Sequence, residues 1–530
     1  MTEPQFDVAI VGAGFAGLYL LHRCRKLGLT ARVWEAGDGV GGTWYWNRYP
    51  GARCDIESMQ YSYQFDESLQ QEWDWSERYA SQPEILRYAQ HVAERFELLD
   101  GIDFKRRVTT AAFAKASASW MLSSESGETL TARFCVMATG CLSSPNWPMI
   151  EGYESFNGSI HHTTLWPHEG VDFTGKRVAV IGTGSSGIQS IPRIAQAAEQ
   201  VSVFQRTPNY SVPAHNRAMD TAAAAQIKAS YPQMRAEAKL NHGGIHGAYR
   251  KVSALAASQR ERLQEYERRW QHGGLTFLGS YGDLLQDKAA NDTLVEFVHN
   301  KIKGIVKDPE IAAMLCPENI IGGKRMCVDI GYYETYNRNN VDLIDLRKQP
   351  IAEINESGLQ AGSVQFDVDI IVIATGFDAM TGSLNRIDIS GATGTLLRDQ
   401  WADGASSYLG LAMANYPNLF TVTGPGSPSV LTNMLPSIEQ HVEWISDCIA
   451  HTLNGNYNTV EATPDAEQTW WNHVQEVGAT GIKQSTDSWY TGANIKGKPR
   501  VFTPYNGGFP EYCRKCEEVV ARGYEGFLFT

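Results

Sequence analysis

Gly12-Ala13-Gly14-Phe15-Ala16-Gly17 and Gly182-Thr183-Gly184-Ser185-Ser186-Gly187 write one pattern, G-x-G-x-x-G, at two distant places in a chain of 530 residues. In such a turn the first glycine allows a tight bend, the second lets the backbone approach a pyrophosphate, and the third admits close helix packing. Free N–H groups at the start of the following helix, here Ser185 and Ser186 in the second cluster, then face the phosphates. Glu35 ends the strand that follows the first cluster, where a carboxylate accepts both ribose hydroxyls of an adenosine. The equivalent strand end after the second cluster carries Gln205-Arg206-Thr207. No acid stands there to reject a 2′-phosphate, and an arginine is present to grip one, which points to NADP. A chain with two dinucleotide sites can pass electrons from one to the other.

The elements that must position these turns are legible around them. Asp7 to Val11, a helical stretch over 15–27 and Ala31 to Trp34 make a βαβ unit, and Val178 to Ile181, Ser185 to about Ala198 and Val201 to Phe204 make a second. Two further strands, Phe134 to Met137 and Ile370 to Ile373, run into matching triplets, Ala138-Thr139-Gly140 and Ala374-Thr375-Gly376. Such triplets resemble the chain crossings between the two dinucleotide domains of flavin monooxygenases and disulfide reductases. Residues 213–318 show helical periodicity and few strand signals. The expected fold class is α/β, with two Rossmann-like dinucleotide-binding domains and a helical insertion in the second. Its order is 1–141 first domain, 142–212 second domain, 213–318 insertion, 319–373 second domain again and 374–530 return to the first.

Composition limits the partners. A net charge of −13 argues against nucleic acid and anionic membranes. No run reaches the roughly 20 apolar residues of a membrane span. Nine scattered cysteines, an odd number, argue against a secreted disulfide framework. Cys513-x-x-Cys516 has no second pair to complete a metal site and reads as two reduced helix thiols. A cytoplasmic protein acting on small molecules is expected, with no metal and an oligomeric state that nothing in the sequence encodes.

Two longer motifs narrow the chemistry. Disulfide reductases of related architecture place a redox C-x-x-x-x-C after a Gly-Gly-Thr like Gly41-Gly42-Thr43, but Trp44 and no cysteine pair follow here, which argues against dithiol chemistry. Phe156-x-Gly158-x-x-x-His162-x-x-x-Trp166-Pro167 resembles the fingerprint of type I Baeyer–Villiger monooxygenases. Gly42-x-Trp44 through Tyr49-Pro50-Gly51 to Asp55 resembles their shorter signature. The resemblance covers essentially the whole chain, including Ser488-Trp489-Tyr490-Thr491-Gly492-Ala493-Asn494, and looks closest to the branch that oxidises phenylacetone, acetone and steroids.

That resemblance implies FAD in the N-terminal domain and NADPH in the inserted one, with O₂ and a ketone giving an ester or lactone through a C4a-peroxyflavin. It makes Arg325 the cation over the flavin that stabilises the oxyanion, a task suited to a group that stays charged. Asp55 is then the carboxylate that pairs with Arg325. Thr43, Trp44, Asp55 and Met434 extend the flavin site, Lys324 joins Arg206 and Thr207 at the 2′-phosphate, and Trp489 belongs to a loop closing over the nicotinamide. Phe156, Gly158, His162 and Trp166 act as a motif that links domain movement to cofactor position. Gly426 to Met434 resembles the longer substrate-side loop of that branch and favours linear or aryl ketones. Three alternatives stay open: a heteroatom-oxygenating flavin monooxygenase, an NADPH oxidase, and a catalytically idle redox sensor.

Overall fold

The computed structural model describes residues 3–530. Two sheets organise the chain. The first runs Asp388–Ser390, Val108–Ala114, Ser119–Ser124, Thr129–Met137, Phe6–Val11, Ala31–Trp34, Ile102–Asp103, with Leu419–Thr421 also paired to Thr129–Met137. The second is five parallel strands in the order Val341–Asp345, Gln200–Gln205, Arg177–Ile181, Ile370–Ile373, Ser159–His162. Side chains of a strand alternate between faces. Val8 and Ile10 accordingly enter one core while Ala9 and Val11 enter another. Val178 and Val180 are likewise divided from Ala179 and Ile181. Both sheets are therefore covered on both faces, as parallel strands require.

The two glycine turns occupy equivalent places. Val11 lies between Trp34 and Met137, and Ile181 between Phe204 and Ile373, so each turn leaves the carboxyl end of a central strand. That is where open α/β sheets bind ligands. The crossing triplets lean directly on the turns. A Cβ on Gly12 (φ +106°) would meet the Ala138 carbonyl oxygen at 2.7 Å, and one on Gly182 (φ +111°) would meet the Ala374 carbonyl oxygen at 2.5 Å.

Residues 213–318 form the helices Thr221–Lys239, Gln259–His272, Lys288–Ile305 and Pro309–Leu315. They do not share one core. Tyr231 of the first packs with the Val8 and Ile10 core, and Arg235 donates to the Tyr63 carbonyl at 3.0 Å, whereas Tyr266, Trp270, Leu294 and Phe297 belong with Val178 and Val180. Beyond this segment the chain re-pairs with its earlier course, Ser211–Pro213 lying parallel to Cys327–Asp329. Cys513 and Cys516 sit on the helix Phe509–Ala521, and all nine cysteines are free. No group that could hold a metal ion occurs among the described residues, and no helix there is long and apolar enough to cross a membrane.

Candidate active site

The first turn is closely packed on its own glycines. Gly14 packs back to back with Gly42, a Cβ on Gly14 meeting the Gly42 Cα at 3.4 Å, and a Cβ on Gly17 would strike the Gly12 carbonyl oxygen at 1.9 Å. The short helix Thr43–Trp46 is thereby seated on the turn, with Thr43 exposed at its start. Trp44 is buried and donates through Nε1 to Tyr61 Oη at 3.1 Å. Glu35 is buried too, its Oε2 accepting from Ala13 N–H at 2.7 Å and its Oε1 from Gly37 N–H at 2.8 Å. Burial pushes its carboxyl up from the ordinary value, while these two amides work the other way. A carboxylate has about four acceptor sites, so two donors leave capacity for ribose hydroxyls.

At the second turn the space beside Gly184 is open, no atom lying within 4 Å of where its Cβ would stand. Ser185 and Ser186 begin the helix Ser185–Ala197, and Gly187 closes against the Gly182 carbonyl, 2.2 Å from its would-be Cβ. Arg206 and Thr207 are exposed at the adjoining strand end. Burial, helped by the nearby Arg206 charge, pushes the Lys324 ammonium below its ordinary value. Neither cation has a carboxylate within 4 Å among the described residues. Two mutually repelling, unpaired cations at the end of a dinucleotide strand fit a dianionic phosphate.

Arg325 and Asp55 are brought together across 270 residues of chain. Arg325 Nε lies 3.4 Å from Asp55 Oδ2, while Nη1 donates to the Val430 carbonyl at 3.2 Å. Asp55 Oδ1 accepts from Val328 N–H at 3.2 Å, and Asn209 Nδ2 donates to the Arg325 carbonyl at 3.0 Å. Burial pushes the Asp55 carboxyl upward against the pull of Arg325. Burial also opposes the guanidinium charge, yet Asp55, with Tyr490, Cys54 and Cys327 near, holds Arg325 above its ordinary value. Arg325 Nη2 has no partner among the described residues. The two N–H donors on Nη2 of a fixed cation are therefore free.

Trp489 packs beside Tyr490, ring centroids 4.4 Å apart and planes tilted by 50°, in a small apolar cluster with Val430, Leu431, Met434 and Phe502. Met434 opens the helix Met434–Asn454. This cluster and Arg325 thus share the Val430 backbone.

The fingerprint occupies the junction of the sheets. Ser159–His162 is the edge strand beside Ile370–Ile373, and Phe156 and Trp166 anchor it in the cores on the two opposite faces. Gly158 passes so near the Asp369 carbonyl that a Cβ would stand 2.3 Å from its oxygen. His162 is buried, with Nδ1 accepting from Thr164 N–H at 3.2 Å and Nε2 donating to the Asn146 carbonyl at 3.3 Å. Thr375 Oγ1 donates to that same carbonyl at 2.6 Å. Burial pushes the imidazole down from its ordinary value, and both ring nitrogens are engaged. His162 thus shares the Asn146 carbonyl, six residues past the first crossing triplet, with Thr375 of the second.

Sequence reading missed Gln189, Asn209 and the Val430 carbonyl. The first two carry no motif signal, and a main-chain carbonyl carries none at all. Gln189 Nε2 donates to the Arg53 carbonyl at 3.0 Å, and its Oε1 accepts from Tyr49 Oη at 2.8 Å. Tyr49-Pro50-Gly51 is thus the contact of one dinucleotide unit with the helix of the other. Gly51 (φ +85°) shows how tight it is, its would-be Cβ standing 2.2 Å from the Gln189 carbonyl oxygen.

Comparison with known proteins agrees with this arrangement. Residues 9–242 match the family model of pyridine nucleotide-disulphide oxidoreductases. A phenazine N-monooxygenase of Lysobacter antibioticus and a cyclohexanone 1,2-monooxygenase of an Acinetobacter species are each 40% identical, over 99% of this chain and 97% of their own. Among solved structures, an oxidised steroid monooxygenase bound to NADP is 49% identical over 99% of both chains, with a TM-score of 0.95. OTEMO in complex with FAD and NADP is 37% identical over 100% of both, with a TM-score of 0.96.

Proposed function

Since this chain belongs to the Baeyer–Villiger monooxygenases, we propose that it uses FAD, NADPH and O₂ to insert one oxygen atom beside a ketone carbonyl, giving an ester or lactone, with Arg325 and Asp55 at the reaction centre. The observation that carries this reading is the unpartnered Nη2 of an arginine otherwise held by Asp55 and the Val430 carbonyl. Bound FAD supplies the redox chemistry that activates dioxygen, and bound NADPH the hydride that it requires.

This chain's own residues do the rest. The turns at Gly12 and Gly182 and the cations Arg206 and Lys324 hold the two dinucleotides. Arg325 offers a preorganised positive charge to the oxyanion that forms as the ketone carbonyl is attacked. Asp55 fixes its direction. Met434 extends the flavin site and Trp489 closes over the nicotinamide, beside a Gly426–Met434 loop whose character favours a linear or aryl ketone. His162 and the fingerprint around it transmit movement between the units bounded by residues 141, 212, 318 and 373. Nine unpaired thiols suit a reducing compartment, the cytoplasm.

The test is Arg325→Ala. FAD should remain bound, because both glycine turns are untouched. Ester formation from a ketone should fall by at least about a hundredfold, the loss of a stabilisation on the order of 3 kcal/mol. Ester produced at the parental rate would refute the assignment. The phenazine N-monooxygenase at equal similarity favours a second reading, oxygenation of a nitrogen heteroarene. Parallel panels of ketones and phenazines, with product analysis, separate the two.

A further inference from the structure

The helix Ser185–Ala197, which begins on the second glycine turn, reaches the segments that carry both Arg325 and Asp55. Ser185 Oγ lies 3.2 Å from Cys327 Sγ, two residues past Arg325. One turn further, Gln189 meets the strap that leads to Asp55. Its Nε2 donates to the Arg53 carbonyl at 3.0 Å, and its Oε1 accepts from Arg53 N–H at 3.4 Å and from Tyr49 Oη at 2.8 Å. A side-chain amide that satisfies both backbone groups of one residue holds it as a neighbouring strand would. The other side of the strap is tied to the first unit, Arg53 Nη1 donating to the Tyr79 carbonyl at 2.7 Å and Gln82 N–H to the Ala52 carbonyl at 2.8 Å. Asp55 follows Arg53 by two residues and has no further side-chain partner than Arg325 among the described residues.

We propose that Gln189 is a positioning residue. It couples the helix that receives the second dinucleotide to the placement of Asp55 against Arg325, so that occupancy of one site sets the geometry of the reaction centre. The helix N-terminus and Gln189 belong to one rigid element, and a shift imposed at the phosphates moves the strap through three hydrogen bonds, two to the Arg53 backbone and one to Tyr49 Oη. This rests on the reading of Arg325 and Asp55 given above.

Two variants test it in the FAD-loaded enzyme. Gln189→Leu removes all three bonds at similar side-chain length, and Tyr49→Phe removes one and keeps the ring. Hydrogen exchange is followed with and without NADP⁺. In the parent, NADP⁺ should slow exchange both at 182–187 and at 49–56, and in Gln189→Leu only the protection at 182–187 should survive. The ratio of ester to hydrogen peroxide should fall at least tenfold in Gln189→Leu, fall less in Tyr49→Phe, and fall no further when Gln189→Leu is added to Asp55→Ala.

Protection at 49–56 that persists in Gln189→Leu would overturn the proposal, as would effects of Gln189→Leu and Asp55→Ala that simply add. If Gln189→Leu does not fold, Tyr49→Phe carries both measurements, and parental behaviour in it overturns the proposal. An Asp55→Ala enzyme with the parental product ratio would instead refute the reading of the Arg325 pair, and this inference with it.

Discussion

Gly51→Ala should separate the two nucleotide-binding units by a calculable amount. A Cβ at this position stands 2.2 Å from the Gln189 carbonyl oxygen and 3.1 Å from Arg193 Cγ. Carbon and carbonyl oxygen settle at about 3.3 Å, so the strap and the helix must part by roughly 1 Å. The strap cannot yield freely, because its far side is bonded to Tyr79 and Gln82. The displacement therefore passes to Asp55, four residues on, and to its 3.4 Å contact with Arg325. A misplacement of about 1 Å in a catalytic array costs on the order of a hundredfold in rate, and that is the fall expected in ester formation. The left-handed backbone at φ +85° adds a stability cost of about 1–2 kcal/mol for any residue with a Cβ. Gly127→Ala isolates that second effect, since Gly127 has φ +89° with nothing within 4 Å of its would-be Cβ. Steady-state ester yield, peroxide release, FAD absorbance and melting temperature should be measured on both. Both variants should melt lower than the parent, and only Gly51→Ala should lose ester. A folded, FAD-replete Gly51→Ala enzyme that makes ester at the parental rate would refute the argument.

Two further outcomes are expected. Arg206→Ala or Lys324→Ala should raise KM for NADPH by about 10- to 100-fold, the worth of one charge-assisted hydrogen bond of roughly 1.5–3 kcal/mol, with KM for NADH nearly unchanged. Equal effects on both coenzymes would place the 2′-phosphate elsewhere. Glu439→Gln tests a buried carboxyl whose environment, burial first and then Glu443, pushes it up from 4.5 to about 7, against the Gln64 and Phe65 amides and Arg235. The folded state binds this proton more tightly than the unfolded chain, so the carboxyl's contribution to stability is lost as pH rises through that interval. The melting temperature of Glu439→Gln relative to the parent should climb from about pH 5 to about pH 8, and a constant difference in a pH series of thermal scans would show that Glu439 does not titrate there.

What could be read in the chain itself is what short stretches of backbone dictate. Both glycine turns, the flanking strands and helices, Glu35 and the contrast at Arg206 depend on positive φ, periodicity and strand-end chemistry within a few tens of residues, so a linear reading finds them. Arg325 and Asp55 were legible only through resemblance, because a Lys-Arg pair in a glycine-rich loop has no local signature that separates it from solvated surface. Tertiary structure alone decides how they meet. The pairing of Ser211–Pro213 with Cys327–Asp329 closes over the whole helical segment and sets Arg325 beside Asn209, Val430 and Asp55. Gln189 shows the same limit, for its side chain acts on the backbone of Arg53, whose identity is irrelevant to the bond. Residues 213–318 are helical by periodicity, but which core each helix serves depends on the shape of the partner surface, and Thr221–Lys239 went to a different core from Gln259–His272. Periodicity determines which face of an element is apolar; only the assembled packing determines what that face meets.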